Sequence, residues 1–156
     1  MEEIPETEET RHMKELDNES ITILKGKNYA ALATINKDGS PQVTLNAVDT
    51  DGKNVLINTS VGRIKVENTK RDRRVCVVVP DNVQPRRRVT VFGEVIEQIT
   101  GEKAKKHINE ISLRYSGKEY PDRPEQIRVI LTIKPNKVLY ERVADPSYGK
   151  FVSETS

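Results

Sequence analysis

The sequence predicts a mainly β domain with inserted α-helices, closed as an antiparallel barrel of six or seven strands. Three observations predict it. Val and Ile together number 30 against 8 Leu, and β-branched side chains favour strands. Two Asp-Gly pairs, Asp38-Gly39 and Asp51-Gly52, stand between apolar runs, which is a hairpin signal. The apolar runs then follow in hairpin order with helices inserted rather than alternating. That order suits a closed antiparallel barrel and not a doubly wound parallel sheet.

The elements follow in order. Residues 1–9 are acidic and almost without apolar side chains, so they are expected to be disordered. Residues 10–26 predict a short helix on Met13, Leu16 and Ile21 that ends at Gly26. Residues 29–36 read as a strand and Lys37-Asp38-Gly39-Ser40 as a turn. The next run, 41–49, alternates: Val43, Leu45 and Ala47 share one face, and Gln42, Thr44 and Asn46 the other. Past Asp51-Gly52, residues 54–59 complete a three-strand meander. Residues 60–72 read as a helix with Ser60 as its N-cap and Ile64, Val66 and Thr69 on its inner side. The unbroken run Val75-Cys76-Val77-Val78-Val79 within 74–80 predicts a strand buried on both faces. Residues 87–99 form a long fifth strand with a bulge or close approach at Gly93. In 101–116, Ala104, Ile108, Ile111 and Tyr115 mark a helical stripe. A proline-containing loop spans 120–126, and strands at 127–133 and 138–143 flank a turn at Pro135-Asn136. The expected division is an acidic, partly disordered segment 1–20, a barrel over 21–143 and a tail over 144–156.

Composition narrows the function. At 156 residues the chain suits one domain with its own core. A single cysteine, Cys76, excludes a disulfide framework, and no Cys/His cluster has zinc-ligand spacing. The longest apolar run is too short to cross a bilayer, and the acidic start is unlike a signal peptide, so a cytoplasmic protein is expected. Charge is uneven: residues 1–20 carry 8 acids and 2 bases, while the remainder carries 24 bases and 16 acids. A basic body suits an anionic partner or a plain solvated surface.

Three features can carry chemistry. Asn58-Thr59-Ser60-Val61-Gly62-Arg63-Ile64-Lys65 joins a strand to a helix start. Free amides, the hydroxyls of Thr59 and Ser60, and the charges of Arg63 and Lys65 suit a phosphate there. Spacing alone leaves open an ordinary capped helix with Arg63 paired to Glu67. The polar row Gln42, Thr44 and Asn46 suits the edge of a flat heterocycle, or is a solvent-facing strand surface. Arg86-Arg87-Arg88 suits a phosphate, an acidic tail or a charge-protected edge. Nucleic acid is the weaker reading of the basic body, since only 7 aromatic residues are present and none interleaves with those arginines. Catalytic side chains are scarce. His12 falls in the acidic segment, His107 reads as lying on a polar helix face, and Cys76 as inert packing. Reactive atoms, if any, belong to a cofactor.

The segments Ala30-Ala31-Leu32-Ala33-Thr34-Ile35 and Asp38-Gly39-Ser40-Pro41-Gln42-Val43-Thr44 resemble the start of the pyridoxamine phosphate oxidase-like split barrels that bind FMN. Val55-Leu56-Ile57-Asn58-Thr59, the spacing of Gly62, Arg63, Lys65 and Asn68, and Arg71-Asp72-x-Arg74-Val75 are similar to the same family. Arg63, Lys65 and Asn68, with Leu113-x-Tyr115 and Glu119-Tyr120-Pro121, resemble most the branch that uses the deazaflavin coenzyme F420.

The resemblance implies a six-stranded split barrel of the flavin-reductase type, a homodimer with its cofactor at the subunit interface. It implies that Thr59, Ser60, Arg63 and Lys65 hold the phosphate, that Gln42, Val43, Thr44, Leu45 and Asn46 line the ring, that Asn58 also binds the cofactor, and that Arg88 adds a polar contact. The implied activity is hydride transfer between reduced cofactor, F420 before FMN, and a small unsaturated or conjugated acceptor. A non-enzymatic flavin or F420 carrier on the same fold is the alternative, and a nucleic-acid-binding barrel a lesser one. Two departures from the vitamin B6 oxidases stand out. The chain has no Trp for the substrate-binding extension, and Asp49 stands where those enzymes place a basic cofactor contact.

Overall fold

The computed structural model describes residues 8–84 and 86–143. The expected tail and all of the N-terminal stretch but Glu8 and Glu9 lie outside these residues. In order the chain forms β1 (Glu9–Met13), α1 (Asn18–Lys25), β2 (Tyr29–Ile35), β3 (Pro41–Thr50), β4 (Val55–Ser60), α2 (Ile64–Arg71), β5 (Arg74–Pro80), β6 (Arg87–Thr100), α3 (Glu102–Ser116) and β7 (Arg128–Arg142). All strand pairs are antiparallel. Their order is β1-β7-β4-β3-β2-β5-β6, and β6 pairs back onto β7. Six strands therefore close a barrel, and β1 adds to the outside edge of β7.

The expected helix over 10–26 divides in two. Glu9, Arg11 and Met13 alternate with exposed residues and pair with β7 as a strand. Arg11 stacks 4.3 Å over the Tyr140 ring and meets the Asp17 carboxylate at 2.7 Å. The helix starts only after Asp17, whose carboxylate accepts the Ser20 N–H at 2.9 Å. It ends at Gly26, as the sequence predicts.

The meander β2-β3-β4 forms as expected, but β3 and β4 pair only over Val48↔Ile57 to Thr50↔Val55. Residues 41–47 of β3 leave β4 and stay with β2. This divergence is the split in the barrel. Ala30, Leu32, Ile57, Val77, Val91, Leu131 and Ile133 fill the interior.

Two further expectations change. The run at 75–79 is not covered on both faces: Val75, Val77 and Val79 are buried, while Cys76 and Val78 are only half-buried. One chain covers one face of this sheet, and the outward row stays apolar. The strands expected at 127–133 and 138–143 are one strand, β7. Pro135 does not reverse it, because it lies opposite Gly93 where the β6–β7 register shifts. A proline lacks the N–H of a regular ladder and is tolerated at such an irregularity.

Gly93 is a close approach, as expected. A Cβ there would collide with the Lys134 carbonyl oxygen, which belongs to the backbone and cannot swing away. Gly93→Ala is expected to destabilise the barrel by about 2 kcal/mol. A urea midpoint equal to that of the unaltered chain would show that β7 yields freely.

Candidate anion-binding site

Ser60 is the last residue of β4, and the chain turns through Gly62, at φ +94°, into α2. The expected Ser60 cap does not form. Arg63 occupies the N-cap position and makes no side-chain cap bond. Glu67 pairs with Lys70 at 3.3 Å, not with Arg63. The Val66 N–H goes to the Arg63 carbonyl at 3.0 Å, while the Ile64 and Lys65 amides have no side-chain acceptor among the described residues and stay open to an external anion. Ile64 is exposed, and the inner side of α2 is carried by Val66, Asn68 and Thr69.

Strand register supplies a third cation. Ser60 pairs with Arg128 of β7 and Asn58 with Ile130. Arg128 donates Nε–H to Asn58 Oδ1 at 3.0 Å, and its Nη1 reaches Tyr120 Oη and Gln126 Oε1, each at 3.3 Å. Its Nη2 makes no hydrogen bond among the described residues. Burial, then the charges of Arg63 and Arg128, push the Lys65 ammonium below its ordinary range. Burial and Arg63 likewise push Arg128 down, against the effect of Tyr120. Among the described residues no carboxylate pairs with Arg63, Lys65 or Arg128. Three neighbouring cations with no counter-charge among the described residues make this junction a candidate anion site.

The other expected site residues divide. Thr59 and Ser60 are buried at the end of β4, and neither hydroxyl bonds another described side chain. Gln42, Thr44 and Asn46 lie on the side of β3 shared with the buried residues Thr34, Leu32 and Ala30. That row turns inward, not to solvent. Asn68 of α2 donates to Thr34 Oγ1 at 3.0 Å, to Asn36 Oδ1 at 2.9 Å and more weakly to Gln42 Oε1 at 3.4 Å. This fixes the Gln42 carboxamide with its N–H groups unused, and ties the polar row to the helix that carries Lys65. Asn46 turns its amide onto Thr44 O and Oγ1 at 3.0 and 3.1 Å. Val43 and Leu45 point the other way and are 63% and 76% exposed. One face of β3 therefore cannot present all five residues. Arg88 stands apart from the cation trio. It pairs in register with Glu141, near the far end of β7 from Arg128, and its guanidinium grips that carboxylate at 3.2 and 3.0 Å.

Asp49 does not face the anion site. It is buried beneath α3 and receives Lys25, Arg114 and His107 Nε2, each at 2.9 Å. Burial alone would raise its carboxyl, but these donors and the Thr50 backbone N–H hold it well below the usual carboxylate range. His107 is itself buried, contrary to the polar helix face read from the sequence. A cleft of about 340 Å³ runs between the start of α3 and residues 119–126 and reaches Arg128.

Residues 16–142 match the family model of pyridoxamine 5'-phosphate oxidase. The chain belongs to that family. An F420 reductase of known structure is 27% identical and superposes with a TM-score of 0.67, over 75% of this chain and 93% of the other. A conserved hypothetical protein from Mycobacterium tuberculosis is 22% identical, with a TM-score of 0.61 over 78% of this chain and 82% of its own. A Listeria innocua protein described as a pyridoxamine 5'-phosphate oxidase homologue is 19% identical, with a TM-score of 0.57 over 78% and 94%. These two likenesses show the split-barrel fold alone. No curated protein matches the chain. No helix among the described residues is long and apolar enough to cross a membrane.

Arg128 is the residue of this junction that sequence reading missed, and the burial of His107 between Asp49 and Asn58 was missed with it. Arg128 opens an apolar strand as a lone cation, which is a weak signal. Only the β4–β7 register sets it beside Ser60.

Proposed function

We propose that the chain binds a phosphate-bearing flavin-type coenzyme at the β4–α2 junction, F420 before FMN, and serves hydride transfer to a small unsaturated or conjugated acceptor. The single observation that carries this is the trio of exposed Arg63 with half-buried Lys65 and Arg128, which has no carboxylate partner among the described residues. A phosphate supplies the missing charge. The 27% identity to an F420 reductase supports F420 as the first candidate.

The bound coenzyme would supply the hydride chemistry. The chain's share is binding, orientation and exclusion of water. Thr59, Ser60, Arg63, Lys65 and Arg128 hold the phosphate end, with Asn58 behind Arg128, and Gln42 offers amide N–H groups to the ring. Thr44 and Asn46 complete the polar row beside it.

The same reading includes a homodimer. Val43, Leu45, Ala31, Val78 and Phe92 share the outer face of β3-β2-β5-β6, where Leu45 and Val43 are largely exposed and Phe92 is 43% exposed. An exposed apolar sheet face of this kind suits a second copy. Arg88 lies on the same side of β6 as Phe92, so a partner copy is what would bring it to a cofactor. Light scattering is expected to give twice the 17.7 kDa chain mass, and Leu45→Glu to give the monomer. A monomeric parent protein would refute the dimer.

The deciding experiment incubates the protein with F420, FMN or riboflavin, desalts it and records the absorption spectrum. Retention of F420 or FMN but not riboflavin is expected. Retention of none, or of riboflavin as well as FMN, would overturn phosphate anchoring. Turnover of a conjugated acceptor by the reduced, loaded protein separates an enzyme from a carrier.

A further inference from the structure

We infer that His107 and Asn58 position Arg128 through a one-way hydrogen-bond relay that starts at Asp49. The inference rests on the anion-site reading above and adds to it two residues that touch no ligand.

Donor and acceptor accounting fixes the relay. Asp49 Oδ1 takes Lys25 and Arg114, each at 2.9 Å, and Oδ2 faces His107 Nε2 at 2.9 Å. A carboxylate only accepts, so Nε2 carries the proton. The other ring nitrogen, Nδ1, lies 3.1 Å from Asn58 Nδ2. An amide nitrogen only donates, so Nδ1 accepts and the imidazole is the neutral Nε2–H tautomer. Asn58 spends its second amide hydrogen on the Ala104 carbonyl at 3.0 Å. Its Oδ1 is then left to accept Arg128 Nε–H at 3.0 Å. Turning the Asn58 amide over would set oxygen against the Ala104 carbonyl and N–H against Nε–H. Every link thus has one direction, and both Asn58 and His107 are buried, so water does not replace either.

The consequence falls on Arg128. With Nε held by Asn58 and Nη1 by Tyr120 and Gln126, the guanidinium plane is set and Nη2 is presented to an anion. A guanidinium is useful to phosphate only in the right plane. His107 and Asn58 are therefore positioning residues for the site, and Asp49 anchors them.

The test uses the full chain, with FMN and F420 titrated in parallel. His107→Phe keeps a ring of similar size but cannot accept from Asn58. It is expected to weaken binding about tenfold. His107→Gln, which can donate to Asp49 and accept from Asn58, is expected to restore most of it. In an Arg128→Ala background, His107→Phe is expected to have no further effect. An equal loss in both backgrounds, or no rescue by Gln, would overturn the relay. Nitrogen-15 NMR of the ligand-free protein gives an independent reading. A bare Nδ1, a protonated Nε2 and a protected Arg128 Nε–H signal that vanishes in Asn58→Ala are expected. A protonated Nδ1 at pH 7.5, or an Arg128 signal indifferent to Asn58→Ala, would refute the relay. If the parent chain binds neither coenzyme, the functional reading fails, and the NMR still decides the relay.

Discussion

The double variant Arg63→Ala/Lys65→Ala is expected to bind FMN and F420 roughly 10²–10⁴-fold more weakly than the parent, from about 1.5–3 kcal/mol for each charge-assisted hydrogen bond removed. The barrel should stay folded. Arg63 is exposed at the α2 N-cap, and Lys65 sits among like charges with no carboxylate to lose. Removing both relieves repulsion, so the melting temperature of the apo protein should hold or rise. That combination separates a binding role from a structural one. Affinity has its own pH dependence. Burial and two neighbouring cations lower the Lys65 ammonium in the free protein, and a bound phosphate favours the protonated form. Binding therefore takes up a proton, and affinity falls as pH rises through the range where free Lys65 deprotonates. Calorimetry in buffers of different ionisation enthalpy reads that proton. Unchanged affinity in the double variant would remove these residues from the site.

Asp49→Asn is expected to lower stability by about 3 kcal/mol at pH 7, near the lower end for breaking a buried charge cluster. Lys25 and Arg114 can turn partly to solvent, while buried His107 cannot. The melting temperature should drop by roughly 6–12 °C for a chain of this size. The pH course follows from the sign of the shift. The folded Asp49 carboxyl lies below its unfolded value of about 3.9. Its stabilising share is complete above that value and disappears as pH falls through the folded one. The parent chain should lose stability steeply below about pH 4, and Asp49→Asn should show a flatter acid limb. Parallel limbs for the two proteins would mean that Asp49 is not the group responsible.

The barrel was largely legible in the residues because its signals are local. Asp38-Gly39 and Asp51-Gly52 turn the chain where the meander turns, and Gly93 marks the close approach to β7. Helix α3 shows its stripe in Ala104, Ile108 and Ile111. The errors came where local pattern is ambiguous. Residues 9–13 are too short for a period to separate strand from helix. Pro135-Asn136 carries turn chemistry but is kept within one strand by the pairing of β7 with β6 on either side. The run at 75–79 looks doubly buried, although one chain covers only half of it.

The candidate site divides along the same line. Arg63, Lys65, Thr59 and Ser60 are neighbours along the chain, so the residues alone raise an anion site there beside an ordinary capped helix. Arg128 lies 63 positions beyond Lys65 and joins them only because β7 pairs with β4. His107 reaches Asp49 only because α3 lies across the β3–β4 surface. Local chemistry sets turns, strand alternation and the charge of the β4–α2 junction, since each depends on residues a few positions apart. Which distant cation completes that junction, and which buried partners orient it, depends on strand register and helix packing, and those arise only when the chain closes.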